Sequence, residues 1–144
     1  MIELSAEAAT AIRAHGAAEY PEECCGALLG EAFGEEARVV RAEPLTNSRE
    51  DQRRRRFRIT PEQYRTVERL ADEEGLELLG FYHSHPDHPA VPSDYDREHA
   101  FPFFHYVVMA VAAGKPGEVS SWILAEDRGG FRREPLVARI NGRS

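Results

Sequence analysis

A mixed central β-sheet flanked by helices, of the α/β (α+β) class, is what this 144-residue sequence predicts. Three observations lead there. Apolar runs of strand length recur along the chain, and two segments place helix-start chemistry ahead of an apolar face. Strands and helices alternate early, whereas strands cluster late. The length fits one domain over 1–144, enough for one proper hydrophobic core. Neither an internal repeat nor a linker is visible.

Taken in order, Ile2-Glu3-Leu4 reads as a short strand, and Ser5 as the N-cap of an alanine-rich helix over about 6–18. Ala9, Ile12 and Ala17 are the expected packed face. Tyr20-Pro21-Glu22-Glu23 breaks that helix, and 24–30 reads as a buried strand. Gly34 marks a turn into a strand over 37–42. The four consecutive arginines Arg53, Arg54, Arg55 and Arg56 lead into an alternating strand pattern, Phe57-Arg58-Ile59. Thr60-Pro61-Glu62-Gln63 is a capping box with proline at the first helical position, followed by the stripe Tyr64, Val67, Leu70 and Ala71 and a stop at Gly75. A strand over 76–81 comes next, and Ser93 opens another helix whose first turn is acidic. Residues 106–111 form a central-strand pattern, 114–117 a turn, and 119–124 a strand. Asp127-Arg128-Gly129-Gly130 reads as a hairpin turn, with the return running from Phe131 to about Ile140.

Composition excludes several functions. A net charge of −7 argues against a nucleic-acid binder, which would carry a basic face on a basic domain. Within that acidic chain the arginine run reads as a solvated loop or edge, or as a contact for an acidic surface or a carboxylate. No apolar run approaches the roughly 20 residues needed to cross a bilayer, so no membrane partner is expected. Met1-Ile2-Glu3-Leu4 lacks the basic start of a signal peptide, which makes the cytoplasm the expected compartment. Cys24 and Cys25 are neighbours; a disulfide between them would be strained, and two buried thiols are expected instead.

The chemistry is concentrated in 82–96. His83 and His85 follow a strand pattern at i and i+2, so both imidazoles leave the same face. Asp96 returns a carboxylate after a proline-bounded loop. Two histidines and one carboxylate, with a fourth position left for water, are the ligand set of a catalytic zinc ion rather than a structural one. Taken singly, each residue has an ordinary reading too. The histidines are also satisfied polar groups at a strand end, Ser93 is also a helix cap, and Asp96 also complements a helix N-terminus. His88, in the loop between the ligands, reads as a solvated residue ahead of a contact to substrate or metal. His99, one turn after Asp96, is placed either to orient it or to touch the site rim and is assigned neither role, while His15 and His105 carry no signal.

His83-Ser84-His85-Pro86, followed by Ser93 and Asp96, is H-x-H, seven residues, S, two residues, D. In this the chain resembles the JAMM (MPN-plus) zinc metalloprotease family, and within it the small stand-alone bacterial members. The likeness extends through Glu23-Cys24-Cys25-Gly26, Asn47, Phe57-Arg58-Ile59 and Pro61-Glu62. It implies an MPN-type sheet related to the cytidine deaminase-like fold. It also implies one zinc ion per chain with a bound water, ligated by His83, His85 and Asp96. Glu23, with Glu22 as its neighbour and decoy, then takes the general acid/base role, and Ser93 donates to the oxyanion of an amide under attack. The implied partner is a ubiquitin-like or sulfur-carrier protein cut, at a peptide or isopeptide bond, after a C-terminal Gly-Gly. The alternative is a non-catalytic MPN-type scaffold that binds protein. A zinc deaminase is discounted, because its Pro-Cys-x-x-Cys ligand pair is absent.

Overall fold

The computed structural model describes residues 1–47 and 58–139. The arginine run, Phe57 and the far end of the predicted C-terminal return lie outside the described residues. Elements follow the order β1 (Ile2–Leu4), α1 (Ala6–Glu19), β2 (Cys25–Phe33), β3 (Glu36–Leu45), α2 (Pro61–Glu73), β4 (Glu77–Pro86), α3 (Asp94–His99), β5 (His105–Ala112), β6 (Lys115–Leu124), β7 (Phe131–Glu134) and β8 (Leu136–Ala138). The eight strands form one sheet in the order β7-β6-β5-β4-β2-β3-β1-β8. It is mixed: β4 runs parallel to β5, and β1 parallel to both β3 and β8, while the other pairs are antiparallel.

β7 and β8 are separated by Pro135 alone, yet they stand at opposite ends of the strand order. Consecutive Cα atoms are only about 3.8 Å apart, so the sheet must curl until its two ends meet at that proline. The Ile2 N–H donates to the Pro135 carbonyl at 3.0 Å, which extends the β1–β8 pairing up to that proline. Helices pack on both faces. α1 covers a core of Ile2, Leu4, Leu28, Tyr82, Val107 and Met109. α2 lies on Ala27, Leu29, Phe81, Tyr106 and Leu124 through Val67 and Ala71. Among the described residues no helix is long and apolar enough to cross a membrane.

Four expectations change. The buried face of α1 is Ala8, Ile12 and Gly16, with Ala9 half-buried and Ala17 exposed. An alanine-rich helix has little apolar periodicity, so its rotation is set by its neighbours: a Cβ on Gly16 would fall 2.2 Å from Met109 Cε. Arg58 and Ile59 are not in a strand, because the Arg58 N–H donates to Asn47 Oδ1 (3.0 Å) instead of to a ladder. The turn expected at 114–117 is a two-residue hairpin at Ala113 and Gly114, both at positive φ (51° and 81°), so β6 begins at Lys115. The single C-terminal return is two strands, β7 on β6 and β8 on β1. Pro135, which has no N–H for a ladder, marks the change of partner.

Candidate active site

The site lies at the C-terminal end of β4, beside the parallel neighbour β5. Alternation along β4 sends Phe81, His83 and His85 to the face that α2 covers. His83 and His85 are buried, at 2% and 7% exposure. Glu23 enters from the adjoining strand. Cys25 stands opposite His83 in the antiparallel β2–β4 pair. One step further, Ser84 N–H donates to the Cys24 carbonyl at 3.1 Å, which sets Glu23 across from His85. Glu23, His83 and His85 each offer a ligating atom within 4.8 Å of the others.

Asp96 is delivered by α3. Ser93 caps that helix: its Oγ accepts from the Asp96 N–H at 3.1 Å, and Asp96 Oδ2 accepts from the Ser93 N–H at 2.9 Å. The same Oδ2 lies 3.0 Å from His83 Nε2 and 3.1 Å from His85 Nε2, and the two Nε2 atoms are 3.1 Å apart. His85 Nδ1 sits 3.0 Å from the Pro89 carbonyl, which keeps a proton on Nδ1, so in the neutral ring Nε2 is the nitrogen open to a cation. The structure thus brings Glu23, His83, His85 and Asp96 to one point, with Ser93 at its edge. A tetrahedral zinc with ligands at about 2.0–2.1 Å has edges of about 3.3–3.4 Å, so the triangle needs only a slight widening to admit the ion. The donor set is nitrogen and oxygen, as zinc takes it. Between Asp96 and Glu23 as third ligand, Asp96 is favoured because it already touches both histidines and is oriented by a backbone N–H. Glu23 stands back, and its buried Oε1 meets no hydrogen-bond partner among the described residues.

The electrostatics are those of a desolvated, coupled cluster. Burial foremost pushes the Glu23 carboxyl up to about 8, with the Asp96 charge adding and His85 opposing. Burial also opposes ionisation of Asp96, but His83 and His85 outweigh it and hold that carboxyl well below the usual carboxylate range. Burial pulls the His83 imidazole down. In His85 the same pull is outweighed, by the Asp96 hydrogen bond first, and the net shift is upward. A divalent cation among these groups would oppose the upward shifts of Glu23 and His85 and reinforce the downward ones of Asp96 and His83, favouring ionised carboxylates and neutral imidazoles.

The remaining histidines stay apart. His99 stacks on Tyr95 with ring centroids 4.0 Å apart, at the rim. His88 is exposed, and His15 Nδ1 lies 2.8 Å from Tyr82 Oη among residues of the α1 side. His105 pairs with Glu134. Both cysteines are free and buried, and burial pushes the Cys24 thiol up to about 11, which keeps it protonated.

A groove of about 710 Å³ runs from His83 and Asp96 along α2. Tyr64, Phe81, Phe101 and Tyr106 line its apolar floor, and Arg58 and Arg65 its rim. Three supports were not singled out in the sequence. Ser84 points to the α1 face, where its Oγ accepts from the Cys24 N–H at 2.8 Å. The alternation that placed the histidines could have shown that Ser84 faces the other way. Tyr20 and Asp87 meet through a bond that no local pattern signals.

A curled mixed sheet with a buried His-His-Asp triangle and a glutamate beside it defines a JAB/MPN-type protein. Residues 5–125 match the family described as prokaryotic homologs of the JAB domain, and the chain belongs to that family. It is 32% identical over 112 residues to a desampylase of Haloferax volcanii, covering 74% of this chain and 78% of that one. The solution structure of a Desulfitobacterium hafniense protein superposes with a TM-score of 0.84 at 31% identity, over 98% of this chain and 94% of the other. A JAB1/MPN domain protein of Archaeoglobus fulgidus shares the fold at a TM-score of 0.58 and 14% identity, over 96% and 97% of the two chains. The fold and the relatives together mark a hydrolase of the JAMM family.

Proposed function

We propose that this protein is a zinc-dependent peptidase that hydrolyses the peptide or isopeptide bond after the C-terminal Gly-Gly of a ubiquitin-like, sulfur-carrier type protein. The observation that carries the reading is the meeting of His83 Nε2, His85 Nε2 and Asp96 Oδ2 within 3.0–3.1 Å, with Glu23 alongside. His83, His85 and Asp96 would hold the zinc, which supplies Lewis acidity and activates water near pH 7. Glu23 accepts the proton of the attacking water and returns it to the leaving amine. The Ser93 hydroxyl donates to the oxyanion. Its Oγ serves the helix cap as an acceptor, which leaves the O–H hydrogen for the substrate, so the two roles coexist without movement.

The groove suits the acyl side of the substrate. Its aromatic floor takes an extended apolar tail and excludes water, and residues without side chains pass most closely to the ligand triangle. The likeness to a desampylase supports a ubiquitin-like partner. The buried free thiols fit a cytoplasmic setting, which cell fractionation checks.

The test is to incubate the zinc-loaded protein with carriers extended beyond Gly-Gly and measure the product mass, with Glu23→Ala as control. Loss of the extension by the wild type alone is expected. Bound zinc with every carrier left intact would overturn the peptidase reading in favour of a binding scaffold.

A further inference from the structure

The stretch 20–24 that carries Glu23 is fastened at both ends to the stretch 83–87 that carries the histidines. At one end, Tyr20 Oη donates to Asp87 Oδ2 at 2.6 Å. At the other, Cys24 N–H donates to Ser84 Oγ at 2.8 Å, and Ser84 N–H donates to the Cys24 carbonyl at 3.1 Å. Asn47 Nδ2 adds a bond to the Glu23 carbonyl at 3.3 Å.

Asp87 is itself held. Its Oδ1 accepts from the Ala113 N–H at 2.9 Å, its own N–H donates to the Val111 carbonyl at 2.8 Å, and it sits at φ 57°, a conformation aspartate tolerates. Asp87 therefore joins the end of β4 to the β5–β6 turn and to the end of α1 at once. None of the ligand chemistry needs Tyr20, Ser84 or Asp87. Two of the three lie on the histidine stretch and the third on the glutamate stretch, so together they fix the spacing between general base and ligands.

Resting on the peptidase reading above, we infer that Tyr20, Asp87 and Ser84 are positioning residues that form a two-point splint for Glu23, acting on catalytic rate and leaving zinc binding untouched. A misplacement of about 1 Å at a reacting group costs about 10²-fold in rate. Loosening one end of the splint is a smaller perturbation, and a fall in kcat of about tenfold is expected from Tyr20→Phe and from Asp87→Ala, with KM within about twofold. The double variant should fall no further than the worse single one, because both break the same bond. Asp87→Asn should recover most of the rate, since its amide donates to Tyr20 Oη while its carbonyl accepts from Ala113.

The experiment measures kcat and KM on a Gly-Gly-extended carrier, zinc content, and the carboxyl ¹³C resonance of Glu23, assigned by its absence in Glu23→Gln. Unchanged zinc, lowered kcat and a displaced Glu23 resonance in both Tyr20→Phe and Asp87→Ala would support the splint. Wild-type kcat, or a Glu23 resonance that stays in place, would overturn it. If the wild type cleaves nothing, the peptidase reading fails. The resonance then still decides the splint, because it reports where Glu23 sits without turnover.

Discussion

His105 on β5 and Glu134 on β7 form a second buried histidine–carboxylate pair, built from the same residue types as the cluster at the end of β4. His105 Nδ1 lies 2.6 Å from Glu134 Oε2, and Ser121 Oγ donates to that same oxygen at 2.7 Å. Serine, histidine and glutamate thus stand together, yet the carboxylate is in the middle, bonded to both, and no hydrogen bond joins the serine to the histidine among the described residues. A hydrolytic triad needs the histidine between the other two. The difference shows in Glu134, which burial pushes up but which His105 and Ser121 hold below the ordinary glutamate value. Glu23 meets no such side-chain donor among the described residues, and burial drives it to about 8. One cluster uses its donors on itself. The other turns two imidazoles and a carboxylate toward one point and leaves a second carboxyl beside them, an arrangement that a bound cation would suit.

Replacing the carboxyls breaks this comparison most forcefully. Glu23→Gln should lower kcat by about 10²–10⁴ with zinc content unchanged, since it removes proton transfer and leaves the ligands. His105→Gln should keep kcat within about twofold and lower the melting temperature instead. Paired measurements of carrier cleavage and thermal unfolding check both. A large kcat loss in His105→Gln with an intact fold would mean that the two clusters had been read the wrong way round.

Why so much of the site was legible follows from its construction. His83 and His85 share a face because strands alternate, and Ser93 and Asp96 adjoin because a capping box spans three residues; both are local rules. The fold class followed from similar local signals, and the Thr60 capping box is present as expected. Glu23 needed the resemblance, because its place across from His85 comes from pairing between strands about sixty residues apart. The rotation of α1, the division of the C-terminal return at Pro135 and the Tyr20–Asp87 bond were not legible. Each depends on which distant element lies alongside, and alanine-rich or turn sequences state no preference. The same limit explains the Phe57-Arg58-Ile59 pattern, whose described part bonds to Asn47 outside any ladder.

Ser93 sharpens the comparison at a smaller scale, because its hydroxyl serves fold and reaction together. Ser93→Ala should lower kcat by the equivalent of about 2.7–4 kcal/mol, the usual cost of an oxyanion donor. Loss of the cap should also cost about 0.5–2 kcal/mol of stability. Kinetics and a denaturant melt on the same preparation separate the two losses. A kcat loss no larger than the loss of folded fraction would leave Ser93 as a cap only. Zinc itself should raise the melting temperature: at a free concentration 100 times its Kd, binding adds about 2.7 kcal/mol. Asp96→Asn should abolish that rise, whereas Glu23→Gln should keep it. A rise that survives Asp96→Asn but not Glu23→Gln would exchange ligand and base.

The smallest effect belongs to Ser121, the counterpart of Ser93 in the second cluster. Its hydroxyl donates to a buried ionised carboxylate, a bond worth about 1.5–3 kcal/mol, and His105 remains on the same oxygen when the hydroxyl is removed. Ser121→Ala should therefore cost stability toward the lower end of that range and leave kcat within about twofold. Its profile is the inverse of Ser93→Ala, which should lose more in rate than in folding. Calorimetry and carrier cleavage on the two variants side by side test this directly. Should Ser121→Ala lose rate out of proportion to its melting temperature, the His105–Glu134 cluster would have a part in the reaction, and bonding pattern alone would no longer tell a structural histidine–carboxylate pair from a reactive one.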